Sequence, residues 1–486
     1  MEGANIGVPI QKSMYIWART LCMDKIKFGT DGWRAIIAKD FTTNNVNRVS
    51  TAVSQWLLDS DLPKKVVIGH DCRFGGRLFL EEAARVFLAH GLTVYYADGP
   101  VTTPMVSMGT RHFEAGIGIV LTASHNPPSY NGYKLKAHFG GPLLPKDIEA
   151  IEARISGSTP LDQQPFAGDQ LTCVDLVDLY VQAVVKTFDV EAIRQSPFRW
   201  GFDAMYGSGF RAMDLLFPEI DSLHCEWNPN FGHIAPEPIP RNLQEFSDYI
   251  QTGKSIDCGL AVDGDADRIG LFDEDGKFVD SHHIILLLIH YMVHYKKMSG
   301  KVITAFSVTE KVKTLCKHYG LEQITTQIGF KNISGYFVTD DVLLGGEESG
   351  GIAVKGHIPE RDGIWMGMIL WEFMAKSGKS LKALIQEVYA ITGSFSYDRL
   401  DLHLTEEKKQ RAMDIMASRP AIMGGKEVRG VETIDGIKYL FDQDAWLLVR
   451  ASGTEPVVRI YAETPTAEET RLFLDKVKID LGLGEG

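Results

Sequence analysis

Cysteine is scarce in this chain: six residues in 486, with no two of them forming a CxxC pair. Cys22, Cys72, Cys173, Cys225, Cys258 and Cys316 therefore read as reduced thiols rather than a zinc site or a disulfide framework, which points to a cytoplasmic protein. No apolar run reaches the roughly 18 to 20 residues that span a bilayer. The nearest, residues 284–294, is interrupted by His290 and reads as a core helix. The first twenty residues lack the basic-then-apolar order of a secretory signal. A globular pattern begins only at Met23, a second candidate start that would make residues 1–22 a loose N-terminal extension. Positive charge is also in deficit, with 50 Lys plus Arg against 63 Asp plus Glu and a net charge of −13. That balance speaks against nucleic acid or an anionic membrane as partner, and an anionic small-molecule substrate would need a local basic pocket. Composition leaves the oligomeric state open.

What remains is ordinary globular composition, 44% hydrophobic and 23% charged, on a chain too long for one core. At roughly 150 residues per domain, several domains are expected. Helical spacing over 44–60 and 77–90 alternates with strand-like runs at 65–69, 92–96 and 116–121. The rhythm returns with strands near 198–204, 222–227 and 259–262 around helices at 209–217 and 243–252, and again with strands at 301–306 and 323–326 around a helix at 308–319. Such alternation implies mixed, mainly parallel sheets that bind ligands at the carboxyl ends of their strands. After residue 397 the order changes to strand, helix at 405–418, several strands through 460 and a closing helix from 466. The expected organisation is an extension over 1–22, three similar α/β domains over 23–160, 161–266 and 267–392, and a smaller α+β domain over 393–486. The three units are candidates for remote internal copies.

Four loops carry chemistry. Thr122-Ala-Ser-His-Asn-Pro-Pro follows an apolar strand, so Ser124 would sit in a turn stiffened by Pro127 and Pro128, with His125 beside it and Lys134 downstream. A turn serine near a base is what a nucleophile requires, although alone it is an ordinary turn residue. Asp263-Gly-Asp-Ala-Asp-Arg268 spaces three carboxylates at alternate positions, as a hard divalent cation demands. An EF-hand fails here because Arg268 stands where that turn needs Gly, which leaves a solvated acidic turn as the bland alternative. Gly345-Gly-Glu-Glu-Ser-Gly-Gly is a flexible loop in which Glu347 and Ser349 suit sugar hydroxyls. Arg450-Ala-Ser-Gly-Thr-Glu-Pro-Val-Val-Arg459 reads either as a phosphate nest or as a hairpin with solvated arginines. A competing pattern, Gly207-Ser-Gly209-Phe-Arg-Ala212 with Glu226 beyond it, fits a dinucleotide fingerprint and would imply an oxidoreductase. That reading leaves the other loops unused.

Taken together and in this order, the four loops resemble those of the α-D-phosphohexomutase superfamily, which includes phosphoglucomutases, phosphomannomutases and amino-sugar phosphate mutases. Phe28-Gly-Thr-Asp-Gly-Trp-Arg34 resembles its opening motif, although Trp33, Ala35 and the extension are not universal in it. The resemblance implies four domains with the active site in a central cleft, and an isomerase that moves a phosphoryl group through an enzyme phosphoserine. It implies that Ser124 is the phosphoserine and that Asp263, Asp265 and Asp267 hold Mg²⁺ against its phosphate, with Arg268 nearby. His125, Lys134 and Arg34 match residues of proton transfer and charge stabilisation. Glu347 and Ser349 match the sugar-contact loop, Lys331 a second substrate-facing loop, and Arg450, Ser452, Gly453, Thr454 and Arg459 the distal phosphate loop. The implied reaction converts α-D-glucose 1-phosphate to glucose 6-phosphate through a hexose 1,6-bisphosphate, with mannose phosphates as further substrates. The loop is closer to glucose-type enzymes than to the mannose or glucosamine forms. Phosphomannomutase and phosphoglucosamine mutase are the nearest alternatives, and a non-catalytic sugar-phosphate sensor is the alternative of another class.

Overall fold

The structure is a computed structural model that describes residues 26–29, 31–155, 165–252, 255–451 and 457–483. The expected N-terminal extension, 1–22, lies outside these. Runs of β-branched and aliphatic residues such as Ile117–Leu121 and Cys258–Val262 are buried at every position. Strands covered on both faces of a parallel sheet are expected to be so.

In the first sheet Ile117–Leu121, Lys65–His70, Thr93–Pro100 and Leu171–Val174 run parallel, and Trp33–Ile36 and Tyr130–Ala137 close one edge antiparallel. The second places Cys258–Val262, Trp200–Asp203 and Asp221–Leu223 parallel, with Ile269–Asp273 and Phe278–Val279 antiparallel beyond them. The third has Val342–Gly346, Lys301–Ala305 and Gln323–Thr326 parallel and Ile352–Val354 antiparallel. The last sheet, built from Ser396–His403, Val457–Thr464, Trp446–Ala451, Ile437–Leu440 and Gly430–Glu432, is antiparallel throughout. The first sheet thus extends past the boundary expected at 160 and the second past 266. Leu171–Val174 is a last edge strand of the first sheet, and the strand after the acidic loop pairs back onto the one before it.

One device recurs. In each of the first three sheets the chain leaves the carboxyl end of a parallel strand through a short loop and returns antiparallel beside it. The pairs are Ile117–Leu121 with Tyr130–Ala137, Cys258–Val262 with Ile269–Asp273, and Val342–Gly346 with Ile352–Val354. The serine, aspartate and Glu347 loops are the connections of these three hairpins. In the last sheet Trp446–Ala451 and Val457–Thr464 pair in the same way, and residues 452–456 between them lie outside the described residues.

A continuous apolar core joins one side of the first sheet to the second and third, and includes the buried helices Ser281–His290 and Gly363–Ser377. The run at 284–294 is therefore a core helix. Among the described residues no helix is long and apolar enough to cross a membrane. The last domain has its own core, with a small aromatic joint of Phe306, Trp446, Leu448 and Tyr461 between it and the third.

Candidate active site

Ser124 is 1% exposed and adopts a left-handed backbone (φ +52°) in its turn. An L-residue in that region carries strain and persists only where its surroundings enforce it. Here the enforcement is explicit. The Ser124 N–H donates to Thr122 Oγ1 at 2.8 Å, and the buried Arg73 guanidinium donates to the carbonyls of Ser124 (2.6 Å), Asn126 (2.6 Å), Pro127 (2.9 Å) and Tyr130 (3.0 Å). Asp71 sits against Arg73 at 3.2 Å. Sequence reading missed Arg73, whose only local signal is its place just beyond the parallel strand Lys65–His70.

The Ser124 hydroxyl donates to Asp263 Oδ2 at 2.6 Å and lies 3.3 Å from His125 Nδ1. Asp263, Asp265 and Asp267 are fully buried, and their ligand atoms lie within 4.8 Å of one another. Among the described residues Asp265 Oδ1 and Asp267 Oδ1 have no hydrogen-bond partner, an arrangement of hard oxygen ligands that fits a divalent cation. Burial, compounded by Asp265 and Asp267, pushes the Asp263 carboxyl well above its ordinary range. Burial would raise Asp265 too, but the Lys134 ammonium and Thr103 hydroxyl hold it low. Lys134 projects from the return strand Tyr130–Ala137 into this cluster, meeting Asp265 (2.7 Å), Asp267 (2.6 Å) and Asp31 (2.7 Å). Burial opposes its charge, yet those three carboxylates keep it a cation. Arg361, also absent from the sequence reading, pairs with Asp267 at 2.8 Å and with Asp31. Burial, with Arg268, Arg34, Lys134 and Arg73 nearby, holds His125 well below its usual range and hence neutral.

Above this cluster lies a cleft of about 260 Å³ to which all four domains contribute. The first supplies Asp31, Arg34 and His125, with Arg34 donating to Asn126 Oδ1 at 2.8 Å. The second supplies Arg268 and Glu237, which lie 3.5 Å apart. The third supplies Phe330, Glu347, Glu348, Ser349 and Arg361; Glu347 accepts the Gly329 N–H at 2.9 Å, and burial beside Glu348 pushes its carboxyl up to about 7. The last supplies Arg399, Arg450, Arg459 and Tyr461. Lys331 opens the short helix after Phe330, does not line the cleft, and makes no ion pair among the described residues. Ser452, Gly453 and Thr454 lie outside the described residues. Glu237 and Arg399 carry no sequence signal of their own, and Glu348 lies within the glycine-rich loop without a role assigned to it there.

The dinucleotide-like glycines answer to packing instead. A Cβ on Gly207 would stand 2.7 Å from Gly264 Cα, while one on Gly264 would stand 2.7 Å from the Ser124 carbonyl oxygen. The Ser208 N–H donates to the Gly264 carbonyl at 3.0 Å. This loop presses the aspartate loop onto the serine turn.

Strained serine, buried acid triad and an arginine-rich cleft at the meeting of four domains describe an enzyme of phosphate esters. The family profiles agree: those of phosphoglucomutase/phosphomannomutase α/β/α domains I, II and III match residues 25–161, 178–276 and 280–391, and that of the C-terminal domain matches 403–479. The chain belongs to the phosphoglucomutase/phosphomannomutase family of the α-D-phosphohexomutase superfamily, and is a phosphohexomutase. It is 29% identical to a phosphoglucomutase/phosphomannomutase of Thermococcus kodakarensis over 92% of this chain and 96% of that one. It is also 29% identical to a phosphoglucosamine mutase of Methanococcus maripaludis, over 90% and 94%. Among solved structures, a Thermus thermophilus protein provisionally assigned as a phosphomannomutase superposes with a TM-score of 0.81 at 34% identity, covering 94% of this chain and 98% of that one. An Aspergillus fumigatus N-acetylphosphoglucosamine mutase, solved with GlcNAc-6P and magnesium, shares the fold at a TM-score of 0.57 and 15% identity over 94% and 96%.

Proposed function

We propose that the chain is a phosphoglucomutase that interconverts α-D-glucose 1-phosphate and glucose 6-phosphate, with mannose phosphates as further substrates, through a phosphoserine at Ser124 and a hexose 1,6-bisphosphate. The observation that carries this is the Ser124 hydroxyl lying 2.6 Å from Asp263 on the buried triad, beneath an arginine-lined cleft. Phosphoryl transfer needs placement and charge neutralisation more than covalent chemistry. Asp263, Asp265, Asp267 and the Ser124 phosphate would hold Mg²⁺, which when bound withdraws negative charge from the phosphoryl group.

The bond from Ser124 Oγ to phosphorus breaks as the sugar O6 takes the phosphoryl group. The O6 proton passes to one of the two groups assigned to proton transfer and charge stabilisation, His125 and Lys134, while the other offsets charge as the phosphoryl group moves. The bisphosphate turns in the cleft and returns its C1 phosphate to Ser124, while Arg450 and Arg459 hold whichever phosphate is not reacting. Glu347 and Ser349 meet the sugar hydroxyls. The rest of the fourth loop, Ser452, Gly453 and Thr454, is assigned to the same phosphate, and Lys331 to substrate approach.

Relatives of equal identity that act on glucosamine phosphates make phosphoglucosamine mutase the second reading. The test is a coupled assay of glucose, mannose, glucosamine and N-acetylglucosamine 1-phosphates with Mg²⁺ and trace bisphosphate, expected to favour glucose. Intact mass should show one added phosphoryl group, removed by Ser124→Ala together with nearly all activity. Full activity in Ser124→Ala sinks the mechanism, and a preference for glucosamine 1-phosphate installs the second reading.

A further inference from the structure

The cleft wall formed by the last sheet carries three arginines, of which only Arg450 and Arg459 belong to the loop motif. The third, Arg399, arrives on the strand Ser396–His403. Side chains alternate along a strand. Leu400 and Leu402 pack into the core of the last domain with Val449, Val458 and Ile460, so Arg399 and Asp401 take the opposite face, toward the cleft. The register sets Arg399 beside Tyr461 and Asp401 beside Arg459, with Arg450 across from Arg459 on the next strand.

Carboxylates fix these guanidiniums without covering them. Asp401 accepts from Arg399 Nη2 at 3.0 Å through one oxygen and lies 3.8 Å from Arg459 Nε through the other, while Asp435 accepts from Arg450 Nε at 2.7 Å. The three arginine side chains remain 30%, 32% and 24% exposed for Arg399, Arg459 and Arg450. Each guanidinium has five N–H donors, and among the described residues Arg399 and Arg450 each make one side-chain hydrogen bond and Arg459 none. Asp401 and Asp435 offset two of these cations and Arg399 also feels Glu348 across the cleft, so it is the convergence of three guanidiniums on one wall, rather than a net charge, that suits the three peripheral oxygens of a phosphate ester.

We propose that Arg399 is a third phosphate-binding guanidinium of this wall, and that Asp401 is the positioning residue that sets Arg399 and Arg459 side by side on one phosphate ester. The inference rests on the phosphohexomutase reading. It is tested by steady-state kinetics of wild type, Arg399→Gln, Arg399→Lys and Asp401→Asn on whichever sugar 1-phosphate the wild type turns over, across a bisphosphate titration. Loss of one charge-assisted contact made equally in ground and transition states raises KM about ten- to hundredfold with kcat nearly unchanged. The bisphosphate needed for half activation should rise in parallel. Arg399→Lys should recover only part of the loss, because an ammonium lacks the planar fork. Asp401→Asn should raise KM by a smaller factor, and add little once Arg399 is already Gln. Unchanged KM and bisphosphate requirement in Arg399→Gln overturns the proposal, as does a fall in kcat and thermal midpoint at constant KM, the mark of a merely structural role. A wild type inactive on every sugar phosphate refutes the mutase reading instead. Calorimetry with inorganic phosphate then decides Arg399: weaker binding by Arg399→Gln supports the assignment and equal binding overturns it.

Discussion

Lys134 is the residue on which the candidate site balances. Its ammonium, fully buried, offsets Asp31, Asp265 and Asp267 together. Removing one partner from a buried ionic cluster leaves uncompensated charge and costs about 3 to 5 kcal/mol. Lys134→Met is therefore expected to melt well below wild type in chelator, and to regain more of its thermal midpoint with Mg²⁺ than wild type gains, since a divalent cation held by the triad would offset two of the same carboxylates, Asp265 and Asp267. Differential scanning calorimetry with and without Mg²⁺ reads both; a variant as stable as wild type in chelator would show that the three aspartates are not jointly ionised.

At the scale of elements, the hairpin at the end of a parallel strand is the unit that builds the site, and its packing is tight enough to test. Gly207→Ala puts a Cβ against Gly264 backbone rather than against a flexible side chain, and overpacking of this kind costs about 1 to 3 kcal/mol. The aspartate loop is expected to shift from the serine turn, with a higher Mg²⁺ requirement and lower kcat; wild-type Mg²⁺ dependence in a folded Gly207→Ala protein would contradict that support. The same hairpins explain what was legible. Parallel strands announce themselves as short apolar runs, and their loops by concentrations of Ser, Asp, Glu and Gly, so Ser124, the aspartates and Glu347 could be found one loop at a time. The partners that hold them could not. Arg361 lies 330 residues from Asp31, and Arg73 lies 51 from Ser124; ion pairs across such distances leave no periodicity. Arg399 was hidden for another reason: alternation with Leu400 and Leu402 sets its face, but that this face looks into the cleft depends on how the last domain packs against the other three.

In the whole molecule, the last domain meets the third through a small, highly charged joint. Lys438 bonds Glu310 and the Phe306 carbonyl, and Lys311 pairs with Asp444 at 2.9 Å. Glu463 is 1% exposed there, neither carboxylate oxygen has a hydrogen-bond partner among the described residues, and burial pushes its carboxyl up to about 8 despite the Lys438 and Lys311 ammoniums. A carboxyl whose pKa is raised by folding binds its proton more tightly folded than unfolded. The resulting penalty is absent below about pH 4.5, grows as pH rises toward 8, and levels off above it. Glu463→Gln should match wild type in stability near pH 4 and exceed it at pH 8 by an amount on the order of a few kcal/mol, measured by urea denaturation at both pH values. An equal difference at the two pH values would mean that Glu463 is not held protonated. Charge also differs between the inside and outside of the molecule. The cleft is lined by six arginines against four carboxylates, within a chain of net charge −13. On the proposed mechanism, a sugar bisphosphate that loosened during its turn would sit in an attractive well within a chain of opposite net charge, so that recapture would compete with escape. Screening flattens both within about 8 Å at physiological ionic strength, and added salt should release intermediate into solution as well as slow capture. Labelled bisphosphate appearing free during turnover in a salt-dependent fraction would measure the depth of that well. A fraction indifferent to salt would mean that contact alone, without the long-range field, retains the intermediate.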